Sequence, residues 1–233
     1  MKKLFLFTTC LLAAVMINAQ TLDEIVKKYT EVNKLDKMSN FKTLKITASM
    51  SMMGQEMPME MWMKNPNKIK TVTNFGGQEM IQAYDGVKGY MVNPMAGSSD
   101  PVEMTEDQAK SFTKSNIFQN YMADYLKDGK LTLEGEESVN GKPAFKIKAV
   151  VSPEATATMF IDKSSYFLVK TSADVNQGGQ VMTVESYPSD YTETNGVVLP
   201  MKTTTSVSGM DFVMNFTKVE VDIPMEDSIF TIK

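Results

Sequence analysis

The chain has 233 residues and a net charge of −4 at neutral pH, with no histidine and a single cysteine. Without histidine the commonest general base and metal ligand is missing, and a Ser–His triad is excluded. Every positive charge is a lysine, so the arginine forks that grip nucleic acid are absent and no nucleic-acid partner is expected.

Lys2 and Lys3 precede an apolar run from Leu4 to Ile17, and Ile17-Asn18-Ala19 is a loose small-residue cleavage site. This pattern predicts a secretory signal peptide at 1–19, cut after Ala19, and a mature chain of 20–233 in the periplasm. The apolar run falls short of the ~20 residues that span a bilayer. Cys10 leaves with the signal. Lipidation at Cys10 is the alternative, but Phe7-Thr8-Thr9-Cys10 is a poor lipidation box. The mature chain then has no thiol, which excludes thiol catalysis, disulfides and thiolate metal sites. Losing Lys2 and Lys3 takes the net charge to −6. The carboxylates are scattered at turns and polar strand positions, where solvated surface is the ordinary reading.

Thr21-Leu22-Asp23-Glu24 is a capping box, and Leu22, Ile25, Val26, Tyr29, Val32 and Leu35 mark one helical face that fades near Lys37-Met38. The period then changes to two. Strands are predicted at 42–53, 56–64, 69–75, 78–84 and 87–93, with Gly54-Gln55, Gly76-Gly77 and Asp85-Gly86 as turns. Pro94, Gly97, Ser98, Ser99 and Pro101 read as a loop. Thr105-Glu106-Asp107-Gln108 is a second capping box and opens a short helix. Ile117, Phe118, Tyr121, Met122, Tyr125 and Leu126 form a further helical face, stopped at Asp128-Gly129. Strands resume at 130–134, 143–151, 156–162, 165–173, 180–187, 190–194, 197–207 and 210–221, and 227–233 reads as a last short strand or docked segment. The pattern predicts one mainly β domain over 20–233, an incomplete antiparallel barrel of about 11 strands with helices on its concave apolar side.

Residues 50–63 read MSMMGQEMPMEMWM, and seven of these fourteen are methionine. A two-residue turn at Gly54-Gln55 pairs Met52 with Met57, Met50 with Met59, Ala48 with Met61 and Ile46 with Met63. One face then holds Ile46, Ala48, Met50, Met52, Met57, Met59, Met61 and Met63, while Ser and Glu take the other. Three readings compete for this face. It is ordinary core, an adaptable apolar pocket wall, or a soft Cu(I) site of thioethers. Cores favour branched residues with defined rotamers, which favours the pocket wall. Ile117, Phe118, Tyr121 and Met122 are the expected lid.

The order of several strings resembles the periplasmic lipoprotein-carrier superfamily, LolA/LolB-like and including outer membrane lipoprotein-sorting proteins. Met61-Trp62-Met63-Lys64-Asn65-Pro66-Asn67 is similar to the family's strand ending in a basic residue and Pro-Asn. Ala83 to Pro94, with Asp85-Gly86 and Asn93-Pro94, looks like its Asp-Gly hairpin. Phe160-Ile161-Asp162 with Leu168-Val169-Lys170, and Tyr191 with Asn195-Gly196-Val197-Val198-Leu199-Pro200, are similar to its later motifs. The resemblance covers nearly all of 20–233. It implies helices closing an apolar cavity that takes acyl chains, carried across the periplasm. The carriers place an arginine before that proline, where this chain has Asn65. The change puts their one-way lipid transfer in doubt, though not the fold or the cavity.

The expected function is therefore non-enzymatic: an exported protein that holds acyl chains of lipoproteins or related lipids for transport to the outer membrane. Its expected lipid contacts are Ile46, Met50, Met52, Met57, Met59, Met61, Met63, Ile117, Phe118, Tyr121 and Met122, with no cofactor and no metal. Expected partners are lipids and the inner- and outer-membrane lipoprotein machinery, met by a monomer. The alternatives are a methionine-rich Cu(I)-binding protein, and a sensor or scaffold of the same fold that binds a protein partner.

Overall fold

The computed structural model describes residues 20–113, 117–152, 155–177 and 180–232; the predicted signal peptide lies outside them. Helix α1 (Leu22–Asn33) starts at the expected capping box. The Thr21 hydroxyl accepts from the Glu24 amide at 3.3 Å, and the Glu24 carboxylate accepts from the Thr21 amide at 2.9 Å. It ends before the expected fade near Lys37-Met38, because Lys34 turns left-handed (φ 54°) and a 3-10 segment, Leu35–Asn40, follows.

Five strands then form a meander: β1 (Thr43–Met52), β2 (Gln55–Lys64), β3 (Lys68–Phe75), β4 (Gln78–Tyr84) and β5 (Gly89–Asn93). A strand not expected from the sequence follows, β6 (Ser98–Glu103), paired with β5. Its string Ser-Ser-Asp-Pro-Val-Glu has weak strand propensity. It survives because it is an edge, where Pro101 need not donate to a neighbour. Two short helices come next, α2 (Glu106–Thr113) and α3 (Tyr121–Lys127). Strands β7 (Leu131–Val139), β8 (Lys142–Ser152), β9 (Ala155–Asp162), β10 (Leu168–Gln177), β11 (Gln180–Thr194), β12 (Val197–Val207) and β13 (Met210–Val221) complete the sheet. The two strands expected at 180–187 and 190–194 are one, with a left-handed residue at Asp190 (φ 55°) marking the expected break. The tail is a 3-10 turn, Asp227–Phe230, rather than a strand.

All thirteen strands join in one open antiparallel sheet, ordered β6-β5-β4-β3-β2-β1-β13-β12-β11-β10-β9-β8-β7. The incomplete barrel expected from the sequence is the fold. Its free edges are blunted. β6 carries Pro101, and β7 carries Glu136 and Glu137 past a kink at Gly135 (φ 125°). Such features discourage pairing with another chain.

The inner face holds two apolar clusters. One gathers Leu44, Ile46, Ala48, Met59, Met61 and Met63 with Ile69, Val197, Leu199, Val219, Met38 and Phe118. The other gathers Ile25 and Val26 of α1 and Met122 of α3 over Leu131, Phe145, Ile147, Ala149 and Ile161. Each buried aliphatic or methionine side chain gains about 1.5–3 kcal/mol on leaving water. In the second cluster, burial pushes the Tyr29 phenol up to about 12, so it stays neutral.

The β1–β2 register differs from the expectation. The turn is Met53-Gly54, not Gly54-Gln55, and the pairs are Met52–Gln55, Met50–Met57, Ala48–Met59, Ile46–Met61 and Leu44–Met63. Both turn residues have positive φ, 52° and 81°, which makes the turn type I′. The shift is by two residues, so every side chain keeps its face. Met53 pays the left-handed strain in the open, at 86% exposure. Met53→Asn is expected to stabilise the fold by about 0.5–1 kcal/mol, because asparagine tolerates that conformation and no packing is lost. Urea unfolding of the two proteins measures it.

Candidate functional site

A cavity of about 860 Å³ lies between the inner face of β1–β5 and helix α2. Its size is that of a small-molecule site. Seven methionines line it: Met50, Met59, Met61, Met80, Met91, Met104 and Met214. Strand pairing explains their convergence. Met59 faces Thr73, which faces Met80; Met61 faces Thr71, which faces Gln82, which faces Met91. On the other side Met50 faces Met214 of β13. Paired residues share a face, so these thioethers form one continuous wall.

Helix α2 closes the cavity with Asp107, Gln108, Ser111 and Phe112. The second capping box holds its start. The Thr105 amide donates to Gln108 Oε1 at 2.8 Å, and the Gln108 amide donates to Thr105 Oγ1 at 3.3 Å. Phe112 packs against the methionine cluster while Asp107, Gln108 and Ser111 stay exposed. The floor is mainly thioether, with the hydroxyls of Thr71 and Thr73 set among the methionines, and the exposed polar groups of α2 stand at the mouth.

The expected site residues separate into three groups. Met50, Met59 and Met61 line the cavity. Ile46 and Met63 lie deeper in the first cluster, at 1% and 3% exposure, and Met57 is buried outside the cavity lining. Met52 is half-buried one pair further toward the turn. The expected lid is divided. Ile117 and Phe118 precede α3 rather than belonging to it, and pack on the first cluster. Met122 enters the second cluster, and Tyr121 is half-buried with its ring 6.4 Å from that of Tyr125. The reason is Asn120. Its side chain caps α3 by accepting from the Ala123 amide at 3.2 Å and donates to Thr30 Oγ1 of α1 at 2.9 Å. That pins α3 to α1, away from the methionine wall.

The cover is instead α2. Met80, Met91, Met104 and Met214 were also not singled out from the sequence. Alternation on their strands carried a signal for Met80 and Met91. Met214 had none, because its neighbour Met50 is 164 residues away in the chain.

Asn65, which precedes Pro66, holds the backbone ahead of β1. Its side-chain amide donates to the Phe41 carbonyl at 3.2 Å and the Ser39 carbonyl at 3.4 Å. A second cavity of about 850 Å³ runs between α1 and α3. Val26, Ala123 and Leu126 give it an apolar floor, and Lys27, Lys34, Lys37, Lys127, Asp23, Glu31 and Asp36 ring it with charges of both signs. Among the described residues no group of His, Cys, Asp and Glu could hold a metal ion, and no helix is long and apolar enough to cross a membrane.

No family model and no curated protein matches the sequence. Solved structures do match. A LolA superfamily protein from Nitrosomonas europaea aligns over 91% of this chain and 98% of its own, with a TM-score of 0.59 at 12% identity. An outer membrane lipoprotein-sorting protein domain from Vibrio parahaemolyticus aligns over 90% of this chain and 97% of its own, with a TM-score of 0.58 at 11% identity. The chain has the LolA fold.

Met104 reaches the cavity because β5 has a glycine beneath it. A Cβ on Gly89 would meet Met104 Sδ at 2.6 Å and its Cβ and Cγ at 3.2 Å. Gly89→Ala is expected to cost about 1–3 kcal/mol through this overpacking. Urea unfolding detects it, and an unchanged midpoint would show that Met104 moves aside freely.

Proposed function

We propose that this protein is a non-enzymatic, exported lipid carrier. It holds acyl chains of lipoproteins or related lipids in the methionine-lined cavity for transport to the outer membrane. The observation that carries this reading is the cavity itself, about 860 Å³ with seven thioether side chains in its lining. The LolA fold supports it, as does the lipoprotein-sorting description of the Vibrio parahaemolyticus domain.

The energetics suit a carrier. Each acyl methylene leaving water gains about 0.8 kcal/mol, and a whole chain about 10 kcal/mol gross. Flexible, polarisable methionine accepts chains of varied shape without fixing one. Few directional contacts need breaking on release. Residues 1–19 would direct export, 20–233 would form the carrier domain, and lipoprotein machinery of the two membranes would load and unload it.

Native mass spectrometry of protein purified from its own periplasm is expected to show a bound acyl lipid. Met59→Gln with Met61→Gln should weaken binding of a fluorescent acylglycerol about tenfold, through burial of unpaired amides. No co-purified lipid together with no acylglycerol binding would sink the proposal.

A second reading has one observation in its favour. Met57, Met50 and Met214 stand directly opposite one another on three adjacent strands, β2, β1 and β13. Thioethers so placed are soft ligands suited to Cu(I). Titration with Cu(I) against a competing chelator tests it. Competition that is lost in Met50→Leu supports the copper reading, and failure to compete rejects it.

A further inference from the structure

The charges around the methionine cavity bear on which lipids it takes. Among the described lining residues there is no lysine, and the chain has no arginine or histidine. The polar groups are neutral amides and hydroxyls, with one carboxylate, Asp107. Asp107, Gln108 and Ser111 are exposed on α2, at the mouth where a lipid's polar end would emerge.

Two nearby features, Lys110 and the α2 dipole, do not replace a cation in the described lining. Lys110 of α2 is not among the lining residues; it pairs with Glu106 at 2.6 Å. Its hydrogen bond holds the Glu106 carboxylate below its ordinary range. The positive end of the α2 dipole is also already answered. The capping box satisfies the Thr105 and Gln108 amides, and Glu106 and Asp107 add two negative charges in the first turn. An anionic head would therefore meet a carboxylate and, among the described lining residues, no counter-charge as its chain enters.

We infer that the cavity selects lipids by the charge of the head, taking acyl chains with an uncharged hydroxyl- or ester-bearing end and rejecting anionic ones. The inference rests on the lipid-carrier reading and adds a ligand class to it. Acylglycerols and the ester-linked ends of lipoproteins fit; free fatty acids and phosphate-headed lipids do not. The neutral end finds donors and acceptors in Gln82, Asn93, Gln108 and Ser111. A carboxylate there loses water and gains repulsion.

The test compares ligands with one chain and different heads, below their aggregation concentrations: palmitoyl glycerol, palmitate and hexadecylammonium, at neutral pH and low salt. Palmitoyl glycerol is expected to bind about tenfold or more tightly than palmitate, and high salt should narrow the gap. Asp107→Lys should raise the affinity for palmitate relative to palmitoyl glycerol about tenfold. Hexadecylammonium should bind at least as well as the glycerol ester, and lose ground in Asp107→Lys. Equal binding of palmitate and palmitoyl glycerol overturns the charge selection and leaves the lipid carrier standing. Binding of none of the three overturns both.

Discussion

The ladder between β1 and β13 is the interaction on which the rest depends. It joins the N-terminal meander to the C-terminal one and makes thirteen strands into one sheet. Without it Met214 would not stand beside Met50, and the methionine wall would end at β1. Its pairs, from Leu44–Val221 to Met52–Phe212, are among the most distant in the chain. Such contacts are slow to form, because loop closure must come before they repay it. Both free edges of the resulting sheet are short or charged, which protects it once formed.

The same inner face is packed at one end and open at the other. Leu44, Ile46 and Met63 meet Met38, Phe118, Val197 and Val219 and form ordinary core. Toward the turn, Met50, Met59 and Met61 meet a cavity, because only the short helix α2 covers them. The sequence uses methionine in both places. In the core it fills space; at the cavity its side chains border open volume instead of packed neighbours. The residue type does not separate the two roles, and what lies opposite does.

That limits what a sequence can reveal here. Strand alternation placed Met57, Met59, Met61 and Met63 on one face because the period is local. The two-residue register shift was invisible because Met53-Gly54 and Gly54-Gln55 both make two-residue turns. It did no harm, since an even shift preserves faces. The lid was misplaced for a different reason. The apolar spacing of 117–126 reads as a continuous helix, but Asn120 starts a separate one and ties it to Thr30. A tertiary hydrogen bond overrode a local period. Edge strand β6 was missed because an edge tolerates residues that a central strand does not.

The central claim is that the methionine wall meets a lipid rather than packed side chains. Peptide-level oxidation by peroxide tests it most directly, since thioether reactivity follows exposure. Met50, Met80, Met91 and Met214 are half-buried at the cavity, whereas Met38 and Met63 are core. The account predicts that the first four oxidise in lipid-free protein and are protected by palmitoyl glycerol, while Met38 and Met63 resist in both states. Equal oxidation of the cavity methionines with and without lipid would contradict it.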